Sequence, residues 1–123
     1  ILFVCSANRI RSRGAEIFFS KKYPEHNFES CGTNKSFVEG TKQIFSDAQM
    51  ITEEMIKEFD LIYFMKLENM IEAMKIINKQ LILNNAEKIE ILEIEDIYDS
   101  CEEKNLIKKL ENTQIMINKK WVE

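Results

Sequence analysis

At 123 residues, with 45% hydrophobic and 31% charged residues, the chain has the composition of a folded globular protein with a single domain spanning 1–123. Its 21 acidic against 17 basic residues leave a formal charge of −4, the wrong balance for a protein that lives on polyanions, so no nucleic acid partner is expected. Short apolar runs broken by charge argue against a membrane span or membrane partner, and Cys5, Cys31, Cys101 and the single histidine His26, without a CxxC pair, point to a reducing, cytoplasmic setting with no metal and no cofactor.

In chain order, Ile1–Val4 is a continuous apolar run that stops at Cys5 and lacks a positive leader. It reads as a strand covered on both faces rather than as a signal sequence. Ala15, Phe18, Phe19 and Tyr23 recur at helical spacing from Ser12 onward, and Pro24 marks the stop. Residues 27–31 read as a second strand ended by Gly32. The segment 33–50 carries no clear period and is expected to be a long loop with a partial helix. Thr52, followed by Glu53 and Glu54, predicts an N-capped helix running to Phe59.

Leu61–Met65 is a further buried strand. Leu67, Met70, Ile71, Met74 and Ile77 then share one helical face. Ile89, Ile91, Leu92 and Ile94 predict a fourth strand, an acidic loop follows at 95–103, and Leu106, Ile107 and Leu110 mark a last helix. This alternation predicts an α/β fold: a single-domain, doubly wound, four-stranded parallel sheet with helices on both faces. Ligands in such sheets sit beyond the carboxyl ends of the strands, and Cys5 directly follows the first strand.

Cys5-Ser6-Ala7-Asn8-Arg9-Ile10-Arg11-Ser12 therefore occupies a strand–loop–helix corner. Backbone N–H groups of such a loop can converge as an anion nest, aided by the positive end of the following helix. Arg11 supplies a planar fork for two phosphate oxygens. The positive field favours Cys5 as a thiolate nucleophile beneath a bound phosphorus atom. Ser12 can donate a hydrogen bond to that sulfur, and Asn8 tolerates the left-handed backbone that a tight loop demands. Arg9 and Arg13 belong either to this loop or to a solvated basic patch.

The run from Val4 to Ser12 resembles the signature of the low-molecular-weight protein tyrosine phosphatases, V-C-x-G-N-x-C-R-S. It is most similar to a short bacterial branch of predicted protein tyrosine phosphatases whose starts read LFVCSAN-x-x-RS. The resemblance continues at Ser30-Cys31-Gly32-Thr33, Ile51–Glu54, Asp60–Met65 and Ile94-Glu95-Asp96-Ile97-Tyr98, and so covers the chain to about residue 107. It implies a phosphocysteine intermediate on Cys5, with Arg11 and the amides of Ser6–Ser12 holding the phosphate. It further implies Asp96 as general acid and then base, Asp99 as the reserve candidate, and Tyr98 as a wall for the substrate ring.

The chain departs from the family pattern in four places. Ala7 stands for the loop glycine, as in the short branch, and Ile10 for a second loop cysteine. Arg13 stands for a usual proline, and Glu95 for the proline before the acid. The expected partner is a phosphorylated protein or small aryl phosphate, with the oligomeric state open. Two alternatives compete. One is a catalytically weak phosphate- or phosphopeptide-binding module on the same fold; the other is an arsenate reductase, which needs a late cysteine pair where the chain has Cys101 alone. Cys31 reads as core packing, with a minor redox role open. Asp96 competes with its reading as an ordinary solvated acid among acidic neighbours.

Overall fold

The computed structural model describes residues 1–94 together with Lys108 and Glu111. Glu95, Asp96, Tyr98, Asp99, Cys101 and the apolar positions Leu106, Ile107 and Leu110 of the expected last helix lie outside the described residues. The order is β1 (Leu2–Cys5), α1 (Arg11–Lys22), β2 (Glu29–Gly32), α2 (Lys35–Lys42), α3 (Glu53–Glu58), β3 (Ile62–Phe64), α4 (Leu67–Ile76), α5 (Lys79–Asn84), a 3-10 turn (Ala86–Lys88) and β4 (Ile89–Ile91). The strands lie parallel in the order β2-β1-β3-β4. The chain thus winds out to β2, returns past β1 and continues through β3. This reversal is the topological switch point, and the loop after β1 lies at its carboxyl end.

Period-2 alternation sends the strand side chains to two separate cores. Leu2, Val4, Ile62, Phe64 and Cys31 pack on one face with Ile56 of α3, Ala73 of α4 and Ile82 of α5. Phe3, Cys5, Tyr63 and Met65 pack on the other with Ala15 and Phe19 of α1. Helices therefore cover both faces, as a doubly wound sheet requires. The α1 face is built on stacked rings, Phe3 lying 5.4 Å from Phe19 and 5.7 Å from Tyr63 between centroids. Burial of each such ring contributes ~1.5–3 kcal/mol, and the stack fixes α1 so that its first turn, Arg11-Ser12-Arg13, abuts the end of β1.

Several local expectations change. Cys5 is the last residue of β1 and pairs in register with Gly32, so the nucleophile candidate is held by the sheet itself. Within 33–50 the partial helix is α2, eight residues long and N-capped by Asn34, whose side chain accepts from Phe37 N–H. The Thr52 cap forms as expected, accepting from Met55 N–H. On α4, however, Leu67 and Ile71 are exposed and the buried residues are Asn69 and Ala73. Met70, Met74 and Ile77 of the expected stripe do pack on the core, while Asn69 takes the buried side in place of Leu67 and Ile71, held there by Ser6. The fourth strand ends early at Ile91 because Glu93 adopts a left-handed φ of 58°. Hydrogen bonds from Leu92 and Ile94 N–H to Phe64 and Met65 nevertheless carry the chain along β3.

Two features of β2 give measurable consequences. A Cβ on Gly32 would lie 2.5 Å from Val38 Cγ2 and 2.6 Å from the Ser6 carbonyl oxygen, whereas one on Gly40 would meet nothing within 4 Å. Gly32→Ala should cost about 1–3 kcal/mol in urea unfolding. Gly40→Ala, inside α2, should gain about 0.5–1 kcal/mol. Cys31 is fully buried, and burial pushes its thiol well above the ordinary 9.0, with the Cys5 and Glu29 charges acting the same way. The unfolded chain therefore releases this proton first. The contribution of Cys31 to stability is intact below pH 9 and is lost as pH climbs above it, at about 1.4 kcal/mol per unit. Between pH 8 and 10, Cys31→Ala should lose less unfolding free energy than the parent by about that amount; equal losses would show that Cys31 ionises freely in the fold.

Candidate functional site

A loop that surrounds an anion must turn its carbonyl oxygens away, because each is a negative dipole end. The segment after β1 does so with donors drawn from several elements. The Cys5 carbonyl accepts from Thr33 N–H at 3.0 Å, and the Ser6 carbonyl accepts from Thr33 and Asn34 N–H at 3.1 and 3.0 Å. Thr41 of α2 donates its hydroxyl to the Ala7 carbonyl at 2.8 Å. Arg13 Nε donates to the Asn8 carbonyl at 3.1 Å, and Gly14 N–H to the Ile10 carbonyl at 2.7 Å. Conversely, no backbone N–H from Ser6 to Ile10 donates to an acceptor among the described residues. Helix α1 begins at Arg11 without a side-chain cap, so its first N–H groups add to the same donor-rich corner.

Asn8 is the hub of this corner. It adopts a left-handed φ of 54° with its side chain 1% exposed, a conformation open to asparagine at modest cost. Its Nδ2 donates to Ser12 Oγ at 3.1 Å and to Ser30 Oγ at 2.8 Å, and its Oδ1 accepts from Gln49 N–H at 3.1 Å. Ser30 in turn donates to Glu16 of α1 at 2.8 Å. One side chain thus joins α1, β2 and the segment before α3.

Cys5 Sγ lies 3.0 Å from Ser12 Oγ, on the α1 face of the sheet. Ser12 has one hydroxyl proton and also lies 3.3 Å from the Cys31 carbonyl. When Cys5 is a thiol, its S–H can donate to Ser12, whose proton then goes to Cys31. When Cys5 is a thiolate, the Ser12 proton turns to the sulfur. The residue thus serves either form without moving a heavy atom. Cys31 cannot share this place: its side chain points into the opposite core.

Arg11 is 6% exposed, and its Nη1 donates to the Ile94 carbonyl at 3.1 Å. Arg9 and Ile10 are exposed at the loop tip, with Ile10 38% accessible. Arg13 is buried instead of joining a solvated patch. Its guanidinium bridges to Asp47 at 2.9 Å and lies 4.4 Å over the Phe45 ring. Of the other residues singled out from the sequence, Asp96, Asp99 and Tyr98 lie outside the described residues.

The far side of the loop rests on α4. Asn69 Nδ2 donates to Ser6 Oγ at 2.9 Å, and Ser6 donates to Glu72 Oε1 at 3.0 Å. Asn69 Oδ1 meanwhile accepts from Lys66 N–H and closes the first turn of α4. Thr41, Asn69, Glu72, Asp47 and Gln49 are contributors that sequence reasoning did not find. Asn69 left the one usable signal, a polar residue among the apolar positions of α4. Among the described residues, no group of His, Cys, Asp and Glu could hold a metal ion, and no helix is long and apolar enough to cross a membrane.

Neither a protein-family model nor a curated protein matches the chain. Solved structures do. A low molecular weight phosphotyrosine phosphatase from Vibrio cholerae O395 superposes with a TM-score of 0.75 at 20% identity, over 99% of this chain and 95% of that one. The tyrosine phosphatase Wzb from Escherichia coli K30, solved with phosphate, gives 0.71 at 16% identity, over 97% and 95%. A low molecular weight protein tyrosine phosphatase from Streptococcus pyogenes gives 0.67 at 19% identity, over 94% and 90%. With its parallel sheet in the order β2-β1-β3-β4, the chain has the fold of the low molecular weight protein tyrosine phosphatases.

Proposed function

We propose that the chain is a cysteine-dependent phosphomonoester hydrolase acting on phosphotyrosine or small aryl phosphates. The observation that carries this reading is the loop after β1, where the carbonyls of Cys5, Ser6, Ala7, Asn8 and Ile10 are engaged by protein donors while the N–H groups of Ser6 to Ile10 have no described acceptor. Such a ring of donors matches the equatorial oxygens of a phosphoryl group in transfer. Cys5 Sγ, bonded to Ser12, sits at the root of that ring. Structures of the same fold that are tyrosine phosphatases support the same reaction class.

In the proposed reaction the Cys5 thiolate attacks phosphorus, the S–P bond forms and the P–O bond to the aryl group breaks. Asp96 gives its proton to the departing oxygen. The Asp96 carboxylate then takes a proton from water, whose oxygen attacks phosphorus, and the S–P bond breaks to release phosphate and the thiolate. Arg11 and the loop amides hold the equatorial oxygens throughout. The hydrogen bond from Arg11 to Ile94, two residues before Asp96 in sequence, supports pairing these residues in one site. An arsenate-reductase relay finds no support among the described residues, because Cys31 is buried in the core opposite Cys5.

Cys5→Ser should abolish release of phenolate from a chromogenic aryl phosphate while inorganic phosphate still binds, since the amide ring and Arg11 are kept. Undiminished turnover by this variant would end the cysteine mechanism. Asp96→Asn should slow phosphotyrosine hydrolysis by roughly 10²–10⁴-fold, with a smaller loss for aryl phosphates whose leaving groups are stable anions. Asp99→Asn should do far less, and the reverse ranking in steady-state kinetics would reassign the acid to Asp99.

A further inference from the structure

Arg13 is a cation that the chemistry of Cys5 and Arg11 does not require, yet it is buried with 8% of its surface exposed. Its position explains why. Nε donates to the carbonyl of Asn8 at 3.1 Å, Nη1 reaches Asp47 at 2.9 Å, and the guanidinium plane lies 4.4 Å over Phe45. Asn8 is the loop residue with a left-handed backbone, so the direction of its carbonyl is the one that local preference leaves least determined. The same residue receives Gln49 N–H on its side chain. Residues 45–49 therefore grip Asn8 twice, directly through Gln49 and indirectly through the Arg13 guanidinium.

We propose that Arg13 is a positioning residue for phosphate binding: it pins the Asn8 carbonyl outward, anchored by Asp47 and Phe45, and so keeps the adjoining N–H groups aimed at the anion. Only a planar fork reaches the carbonyl, the carboxylate and the ring together. The burial of its charge is compensated by the Asp47 carboxylate and by the ring face. The proposal rests on the phosphate-binding reading of the loop, and it assigns no contact between Arg13 and substrate.

The test measures inorganic phosphate binding by calorimetry at about 0.15 M ionic strength, where long-range charge effects are largely screened. The proteins are the parent, Arg13→Met, Arg13→Lys and Asp47→Asn, each checked by circular dichroism and thermal unfolding. Arg13→Met should bind phosphate at least tenfold more weakly. Arg13→Lys, which can still donate to Asn8, should stay within about threefold of the parent. Asp47→Asn discriminates by sign and, being a change at an exposed carboxylate, should fold even where Arg13→Met does not. Removing a negative charge near the loop tightens phosphate if Arg13 acts only through its field, whereas loss of its anchor loosens phosphate by about two- to threefold. Equal or tighter binding by Asp47→Asn, or equal impairment of the Lys and Met variants, overturns the positioning role. A parent that fails to bind phosphate overturns both this role and the reading of the loop. A parent that binds phosphate but hydrolyses no aryl phosphate sinks only the enzymatic reading.

Discussion

A backbone that surrounds an anion faces one constraint above others: its carbonyl oxygens have to be held away from the enclosed space, and something has to hold them. Water could do so at low cost, but water does not fix direction. Here the holding donors are protein groups from different elements: Thr33 and Asn34 after β2, Thr41 of α2, Arg13 and Gly14 of α1. A neutral hydrogen bond of this kind has a net value of only about 0.5–1.5 kcal/mol. On the proposed reading of the loop as a phosphate site they matter beyond that value, because the loop can present its N–H groups inward only while the carbonyls are engaged outward. The preorganisation of the site is thus distributed over the fold.

That distribution accounts for the shape of the surrounding structure. Gly32 is needed where β2 ends because an added carbon would lie 2.6 Å from the Ser6 carbonyl oxygen and 3.1 Å from the Asn8 nitrogen, closer than ordinary van der Waals contact. Helix α2 stands where Thr41 can reach Ala7 while Val38 seals the sheet. Helix α4 is turned so that Asn69, not Leu67, faces inward, because Asn69 supports Ser6 and its own helix N-terminus together. In the polar chain Gln49–Asn8–Ser30–Glu16 the two buried members, Asn8 and Ser30, offset their desolvation by hydrogen bonds to each other and to the half-buried ends. Truncating Asn8 would leave several buried partners unmatched at once.

How much of this was legible in the sequence follows from what kind of force places each element. Strands β1 and β3 and helix α1 are held by apolar burial, which writes itself as runs such as Leu2–Val4 or as helical spacing such as Ala15 and Phe19. The loop motif stands out because the candidate nucleophile, the candidate fork and a hydroxyl fall within eight residues, from Cys5 to Ser12. Helix α2 is legible only as a partial helix without bounds, because it is anchored by Asn34 and Thr41, polar groups without periodicity, while its Phe37 faces solvent. On α4 the stripe is legible at Met70, Met74 and Ile77, which pack on the core, and fails at Leu67 and Ile71, where the polar anchor Asn69 takes the buried side. Arg13 was ambiguous since an arginine beside two others has no local mark of burial; only Asp47 and Phe45, more than thirty residues away in sequence, decide it.

The alternation of the sheet also settles a question of sulfur chemistry that spacing alone left open. Cys5 and Cys31 lie on neighbouring strands, with Val4 opposite Cys31 and Cys5 opposite Gly32. An offset of one residue in a strand reverses the face, so Cys5 belongs to the α1 core and Cys31 to the core beneath α3, α4 and α5. A disulfide requires Cβ vectors that converge to about 3.5–4.5 Å, which two side chains on opposite faces cannot achieve without breaking the β1–β2 ladder. Burial also holds Cys31 as a thiol, the form that does not attack an oxidised sulfur. With isoleucine at position 10, the loop offers no second thiol either. Among the described residues, then, a sulfenic acid formed on Cys5 meets no resolving cysteine.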